Sequence, residues 1–193
     1  MKRVCVFCGS SLGTHPAFET LAKQLGAILA KRRLALVYGG GKVGLMGMLA
    51  NAVLAGGGEV IGVIPKALAR KEVAHRDLAD LRVVGSMHER KALMADLSDA
   101  FIALPGGMGT LEEFCEIVTW AQLGLHRKPC GLVDQNDYFR QLIAFLDDAV
   151  AAGFVRPEHR ALVLVDKDPE RLLDRFGRYH APEIEQWIDQ GNR

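Results

Sequence analysis

An α/β fold, a doubly wound parallel sheet with helices on both faces, is what the sequence predicts, and three observations predict it. Short aliphatic or β-branched runs alternate with helical patterns along the whole chain. The runs are bounded by Gly, Pro or charge, as buried strands are. Three glycine-bearing turns fall where such a run ends, the position at which open parallel sheets bind their ligands.

Taken in order, Val4–Phe7 is the first strand, and it runs into the turn Cys8-Gly9-Ser10-Ser11. Pro16 to Arg33 is a helix with Phe18, Leu21, Ala22, Leu25, Ile28 and Leu29 on one stripe. Leu34–Tyr38 is the second strand, followed by the turn Gly39-Gly40-Gly41-Lys42-Val43-Gly44. The helix Val43 to Ala55 is mostly small and apolar, which predicts deep burial. Val60–Ile64 and Leu81–Val84 are the next strands. Between them Lys66–Asp80 is charged and irregular, with Arg70-Lys71-Glu72 and His75-Arg76-Asp77, and reads as a loop or short helix at the edge of a site. A helix at Glu89–Leu97 leads to the strand Phe101–Leu104, and a helix at Leu111–Leu125 to the strand Cys130–Val133. Tyr138–Ala151, the strand Ala161–Val165 and the helix Pro169–Phe176 finish the series. The tail after Gly177, with Tyr179, His180, Ile184 and Trp187, packs back on the domain or on a partner. There is no linker, repeat or low-complexity tract, so residues 1–193 read as a single Rossmann-like domain.

Composition narrows the functional class. A hydrophobic content of 49% is ordinary for a globular domain, and a net charge of +1 offers no surface for nucleic acid. No apolar run approaches the roughly 20 residues of a membrane span. The apolar part of Met1–Gly9 is too brief for a signal peptide and fits a strand and turn. These features predict a cytoplasmic protein. Cys5 and Cys8 form a C-x-x-C inside a strand, where positions i and i+3 face opposite sides, so they cannot both grip one metal. With Cys115 and Cys130 they read as buried thiols in a reducing compartment. No histidine pair has metal-ligand spacing, and His88 and His126 read as surface or capping residues, so neither metal nor cofactor is expected.

The stretch Pro105-Gly106-Gly107-Met108-Gly109-Thr110-Leu111-Glu112-Glu113 carries the strongest signal. A glycine-rich turn between a strand and a helix presents unpaired N–H groups at the positive end of the helix dipole, a seat for phosphate. Glu113, one turn further in, would repel that phosphate on contact and so addresses another part of the same ligand. Glu113, Glu116 and Trp120 share a helix face. Glu112 suits the ordinary role of an acid in a first turn; Glu116, further along, suits it less. Gly39, Gly41 and Gly44 match G-x-G-x-x-G with Glu59 about twenty residues on. A dinucleotide fingerprint would more naturally occupy the first turn, so this turn reads as a nucleotide contact or as tight helix–strand packing. Ser10 and Ser11 could donate to a ligand or cap a helix. Arg90 and Lys91 in Ser86-Met87-His88-Glu89-Arg90-Lys91 put positive charge at a helix start, against the dipole, which suggests function. Arg90 could clamp a phosphate or a base with its planar fork.

On these residues the chain resembles the LOG ("Lonely guy") family of cytokinin-activating phosphoribohydrolases, whose signature P-G-G-x-G-T-x-x-E is matched from Pro105 to Glu113. The resemblance extends over Cys8-Gly9-Ser10-Ser11, Tyr38-Gly39-Gly40-Gly41, Gly44-Leu45-Met46-Gly47, Gly62–Lys66, Met87–Lys91 and Thr119–Gly124. It implies hydrolysis of the N-glycosidic bond of N6-modified adenosine 5′-monophosphates, or of AMP, to the free base and ribose 5-phosphate. It implies Arg90 and Glu113 as the catalytic pair. Gly106, Gly107, Gly109 and Thr110, with Pro105, would hold the 5′-phosphate. Gly9, Ser10, Gly40, Gly41, Met87, Lys91 and Glu116 would complete the substrate site, Glu116 through the ribose hydroxyls or Arg90. A homodimer with the site near the subunit interface is implied as well. Three other readings stand beside it: a nucleotide-binding module without chemistry, a nucleosidase of broader purine and pyrimidine 5′-monophosphate specificity, and a pyridoxal-phosphate decarboxylase, which needs a Schiff-base lysine that the sequence does not visibly place.

Overall fold

The computed structural model describes residues 1–69 and 74–183. Arg70-Lys71-Glu72 of the charged segment and the tail residues Ile184 and Trp187 lie outside the described residues. Seven strands form one sheet: β1 (Arg3–Phe7), β2 (Ala35–Tyr38), β3 (Val60–Pro65), β4 (Asp80–Val84), β5 (Ala100–Ala103), β6 (Cys130–Val133) and β7 (Val163–Asp166). Their order is β4-β3-β2-β1-β5-β6-β7 and every pairing is parallel. The helices are α1 (Pro16–Lys31), α2 (Gly44–Ala55), α3 (Lys66–Ala69), α4 (Met87–Leu97), α5 (Met108–Gln122), α6 (Arg140–Ala151), α7 (Pro157–Arg160) and α8 (Pro169–Gly177). The winding reverses at β1, which pairs with β2 on one side and β5 on the other. A crevice therefore opens beyond the carboxyl ends of β1 and β5.

Strand alternation sorts the apolar residues into two cores. Val4, Val6, Leu36, Tyr38 and Ile102 face α1, α2 and α8, where Leu25, Leu49 and Leu172 are fully buried. Cys5, Phe7, Val37, Val63 and Phe101 face α4 and α5, against Met94, Phe114 and Ile117. Cys5 and Cys8 fall into opposite cores, as the strand geometry requires, and burial pushes both thiols up.

Two helices and one strand start at positions other than those expected from the sequence. α5 begins at Met108, three residues ahead of the expected Leu111, because Gly107 takes the extended N-cap conformation. Met108, Gly109 and Thr110 thus belong to the first helical turn rather than to the loop. α4 begins at Met87 rather than Glu89, because the Ser86 hydroxyl accepts the amide of Glu89 at 3.1 Å and caps the helix earlier. β7 starts at Val163 rather than Ala161, because Pro157 at the first helical position sets up α7 just ahead of it.

At α8, Asp168 caps the helix, its Oδ1 accepting the amides of Glu170 at 2.8 Å and Arg171 at 3.4 Å. Asp168→Ala is expected to lower stability by about 1 kcal/mol. The measurement is the urea midpoint, and activity should not change because α8 packs on the sheet face away from α4 and α5.

Candidate active site

Three glycine turns meet at the crevice and bond to one another. The amide of Gly9 donates to the carbonyl of Pro105 at 3.1 Å, tying the turn after β1 to the turn after β5. The amides of Leu45 and Met46, in the first turn of α2, donate to the carbonyls of Ser11 and Gly9, each at 3.4 Å. α2 therefore gives its free donors to the chain itself. α5 does not. Its N-cap is Gly107, with no side chain to cap it, and among the described residues the amides of Met108, Gly109 and Thr110 have no acceptor. By contrast, side chains of His15, Ser86 and Asp168 cap α1, α4 and α8. An uncapped helix start with free donors and a positive dipole end is an anion seat.

A cleft of about 440 Å³ opens over this seat. Of the sequence-predicted residues, Gly9, Ser10, Gly41, Met87, Arg90, Gly107, Gly109, Thr110 and Glu113 line it. Gly40 instead turns into the sheet at φ 72°, against Ile64 and Leu81. Pro105 and Gly106 line a smaller hollow of about 270 Å³ next door, which shares Gly9, Ser10 and Gly107 with the cleft. Lys91 and Glu116 stand off the cleft and pair with each other: Lys91 Nζ lies 2.9 Å from Glu116 Oε1 and 2.5 Å from Glu112 Oε1.

The chemical centre is Arg90 and Glu113. Their side chains are 10% and 11% exposed, with Nη2 3.2 Å from Oε1. Arg90 reaches this position from the first turn of α4, Glu113 from the second turn of α5, across the end of β1. Burial pushes the Glu113 carboxyl up, against the pull of the Arg90 guanidinium. Arg90 is only partly satisfied: Nη1 meets the Met87 sulfur at 3.7 Å, and Nε is buried without a partner. A buried guanidinium with a bare donor, beside a carboxylate and an open helix start, is arranged to receive an oxygen-rich ligand. The rim is apolar, with Val43, Leu68, Met87 and Met108 exposed, Met108 at 82%.

Several lining residues escaped the sequence reading. Val43, Leu68 and Met108 are apolar residues among polar neighbours, and only their exposure marks them. Tyr138 stands in the side hollow and donates from its hydroxyl to the Gly106 carbonyl at 2.6 Å, across 32 positions of sequence. The two histidines near the site are accounted for: His88 is exposed, and His126 contacts the Ile117 carbonyl at 2.9 Å near the end of α5. Glu59 precedes β3, at the amino end of the sheet, and cannot address a ligand at the carboxyl ends. The G-x-G-x-x-G match is thus not a dinucleotide fingerprint: Gly39 and Gly41 line the cleft, and Gly44 packs against the backbone of Ser10 and Ser11.

Comparison with known proteins places this geometry among relatives. The family model described as "Possible lysine decarboxylase" matches residues 46–176. The cytokinin riboside 5′-monophosphate phosphoribohydrolase LOG7 of Arabidopsis thaliana is 49% identical over 185 residues, covering 96% of this chain and 85% of the relative. The cytokinin riboside 5′-monophosphate phosphoribohydrolase of Rhodococcoides fascians is 53% identical over 173 residues, covering 89% and 87%. Among solved structures, the molybdenum cofactor binding protein of Rippkaea orientalis superposes with a TM-score of 0.69 at 22% identity, covering 92% of this chain and 97% of that one. The molybdenum cofactor carrier protein of Chlamydomonas reinhardtii does so with a TM-score of 0.67 at 21% identity, covering 90% and 98%. At such identities these two structures share the fold.

Proposed function

We infer the function from one premise: the chain belongs to the LOG family, that of the cytokinin riboside 5′-monophosphate phosphoribohydrolases. It is a hydrolase of N-glycosyl bonds, cleaving adenosine 5′-monophosphates, N6-modified ones above all, to the free base and ribose 5-phosphate. The observation that carries this reading is the buried Arg90–Glu113 pair set beside the glycine turn whose amides remain unengaged.

The mechanism follows from that placement. The 5′-phosphate takes the amides at the start of α5, where Gly107, Gly109 and Thr110 present N–H groups. Phosphate binding then fixes the ribose with C1′ toward Glu113, so that remote binding energy serves orientation. As the bond from C1′ to the base nitrogen breaks, its electron pair leaves with the base and C1′ gains oxocarbenium character. The Glu113 carboxylate stabilises that charge and aligns a water, whose oxygen bonds to C1′ while a proton passes to the base. Arg90 holds Glu113 in place and presents its guanidinium to phosphate or departing base. Lys91 and Glu116, bonded to each other, brace α4 against α5 rather than touching the ribose. The apolar rim of Val43, Leu68, Met87 and Met108 suits a base with an apolar N6 substituent.

The family model's description names a lysine decarboxylase, a chemistry that needs a Schiff-base lysine. No lysine lines the cleft among the described residues. Lys91, the lysine next to Arg90, is held by two carboxylates. The exposed Met87 and Met108 at the rim also support a homodimer with the site near the subunit interface, and four free cysteines support a cytoplasmic location. Among the described residues no helix is long and apolar enough to cross a membrane.

The test is a rate comparison of N6-isopentenyl-AMP, AMP, GMP and CMP, with base and ribose 5-phosphate resolved by chromatography. Both adenosine monophosphates are expected to yield free base and ribose 5-phosphate, the N6-modified one faster. Nucleotide recovered bound but intact would refute the hydrolase.

A further inference from the structure

We propose that Tyr138 is a positioning residue for phosphate recognition, acting through the Gly106–Gly107 peptide; this rests on the function inferred above. The Tyr138 hydroxyl donates to the Gly106 carbonyl at 2.6 Å. That carbonyl belongs to the same planar unit as the N–H of Gly107, and in a trans peptide the two point in opposite directions. Tyr138 and Gly106 line the side hollow, while Gly107 borders both hollow and cleft. With the carbonyl held toward the hollow, the Gly107 N–H is held toward the cleft, in line with the free amides of α5. The donor into Gly106 also polarises the peptide and strengthens its N–H as a donor.

The strut is needed because this peptide lies between two glycines, whose backbones rotate with little steric resistance. Unrestrained, the unit can turn over and present a carbonyl oxygen to the phosphate, replacing attraction by repulsion. The chain invests in aiming Tyr138. Asn136 and Asp137, immediately before it, both adopt left-handed backbone with φ of 56° and 55°, a turn conformation that asparagine and aspartate tolerate better than other non-glycine residues. The turn is locked by the Asp134 carboxylate, which accepts the amide of Phe139 at 2.7 Å, and the Tyr138 ring stands edge-on to Phe18 and Phe139 at 5.4 and 5.0 Å.

Tyr138→Phe removes the hydroxyl and keeps these ring contacts. It is expected to raise KM for AMP and the inhibition constant of ribose 5-phosphate in parallel, each about tenfold, as for one weakened hydrogen bond to a charged group. The value of kcat should stay within about twofold and the thermal midpoint should fall by no more than a few degrees, the effect of the one hydrogen bond removed, because Glu113 and the fold are untouched. A variant that binds ribose 5-phosphate as the wild type does overturns the proposal and leaves the hydrolase reading intact. A variant that loses kcat with KM unchanged also overturns it, since that pattern assigns Tyr138 to the chemistry or to general order. A wild type that neither cleaves AMP nor binds ribose 5-phosphate overturns both.

Discussion

Glu113→Gln is expected to bind AMP nearly as tightly as the wild type and to lose at least about a hundredfold in kcat. Glutamine has the same length, and its amide oxygen can still face Arg90 where Oε1 now lies 3.2 Å away. The phosphate seat at the start of α5 is made of backbone donors and is not altered. What is lost is the negative charge beside C1′, and that charge matters only as the sugar becomes positive, so the effect falls on kcat and not on KM. Steady-state hydrolysis paired with calorimetric titration of AMP separates the two. Undiminished turnover in this variant would remove Glu113 from the mechanism.

The protonation state of the same group sets a pH signature. Burial raises the Glu113 carboxyl, so it stays neutral to a higher pH than an exposed glutamate at about 4.3. Only the ionised form stabilises the oxocarbenium, so kcat/KM should climb with rising pH through this raised value and level off above it. Glu113→Gln should flatten that acidic limb. A limb that persists in the variant belongs to another group.

Much of this architecture is written locally in the chain. The strands were legible because each is a short apolar run closed by glycine, proline or charge, and β1 shows why: Val4 and Val6 fill one core, Cys5 and Phe7 the other. The glycine signature was legible because turn chemistry acts over a few residues. What the sequence could not show acts at a distance. Positive charge at the start of α4 marked Arg90 and Lys91 alike, yet their partners lie on α5 and differ: Glu113 for one, Glu112 and Glu116 for the other. Only the packing of the two helices separates a residue in the cleft from a brace beside it. Similarly, three glycine turns looked alike, and only the bonds of Leu45 and Met46 to the carbonyls of Ser11 and Gly9 reveal that one helix start is engaged and the other open. Tyr138 carries no local signal at all, since its partner is 32 residues away.

Gly39→Ala is expected to abolish most activity while leaving the protein folded, and it tests the Arg90 position without touching Arg90. A methyl at Gly39 would stand 2.0 Å from Arg90 Nη2 and 3.2 Å from Cζ, and 3.4 Å from the Met46 sulfur. The clash is with the far end of a flexible side chain, so relief comes from moving the guanidinium and not the backbone. β2, which ends at Tyr38, keeps its pairing with β1 and β3. The thermal midpoint should therefore shift by no more than a few degrees, the effect of roughly 1 kcal/mol. Displacing Nη2, however, separates it from Glu113 and leaves a buried carboxylate without its counter-charge, which favours the neutral acid. The expected loss is at least about a hundredfold in kcat/KM, approaching that of Arg90→Ala, in which binding and rate both fall. The double variant decides the cause. If the methyl acts by displacing Arg90, adding Gly39→Ala to Arg90→Ala should cost almost nothing more, because residues that share one interaction are not additive. Two losses that multiply would mean that Gly39 serves the ligand directly, through the backbone it presents to the cleft.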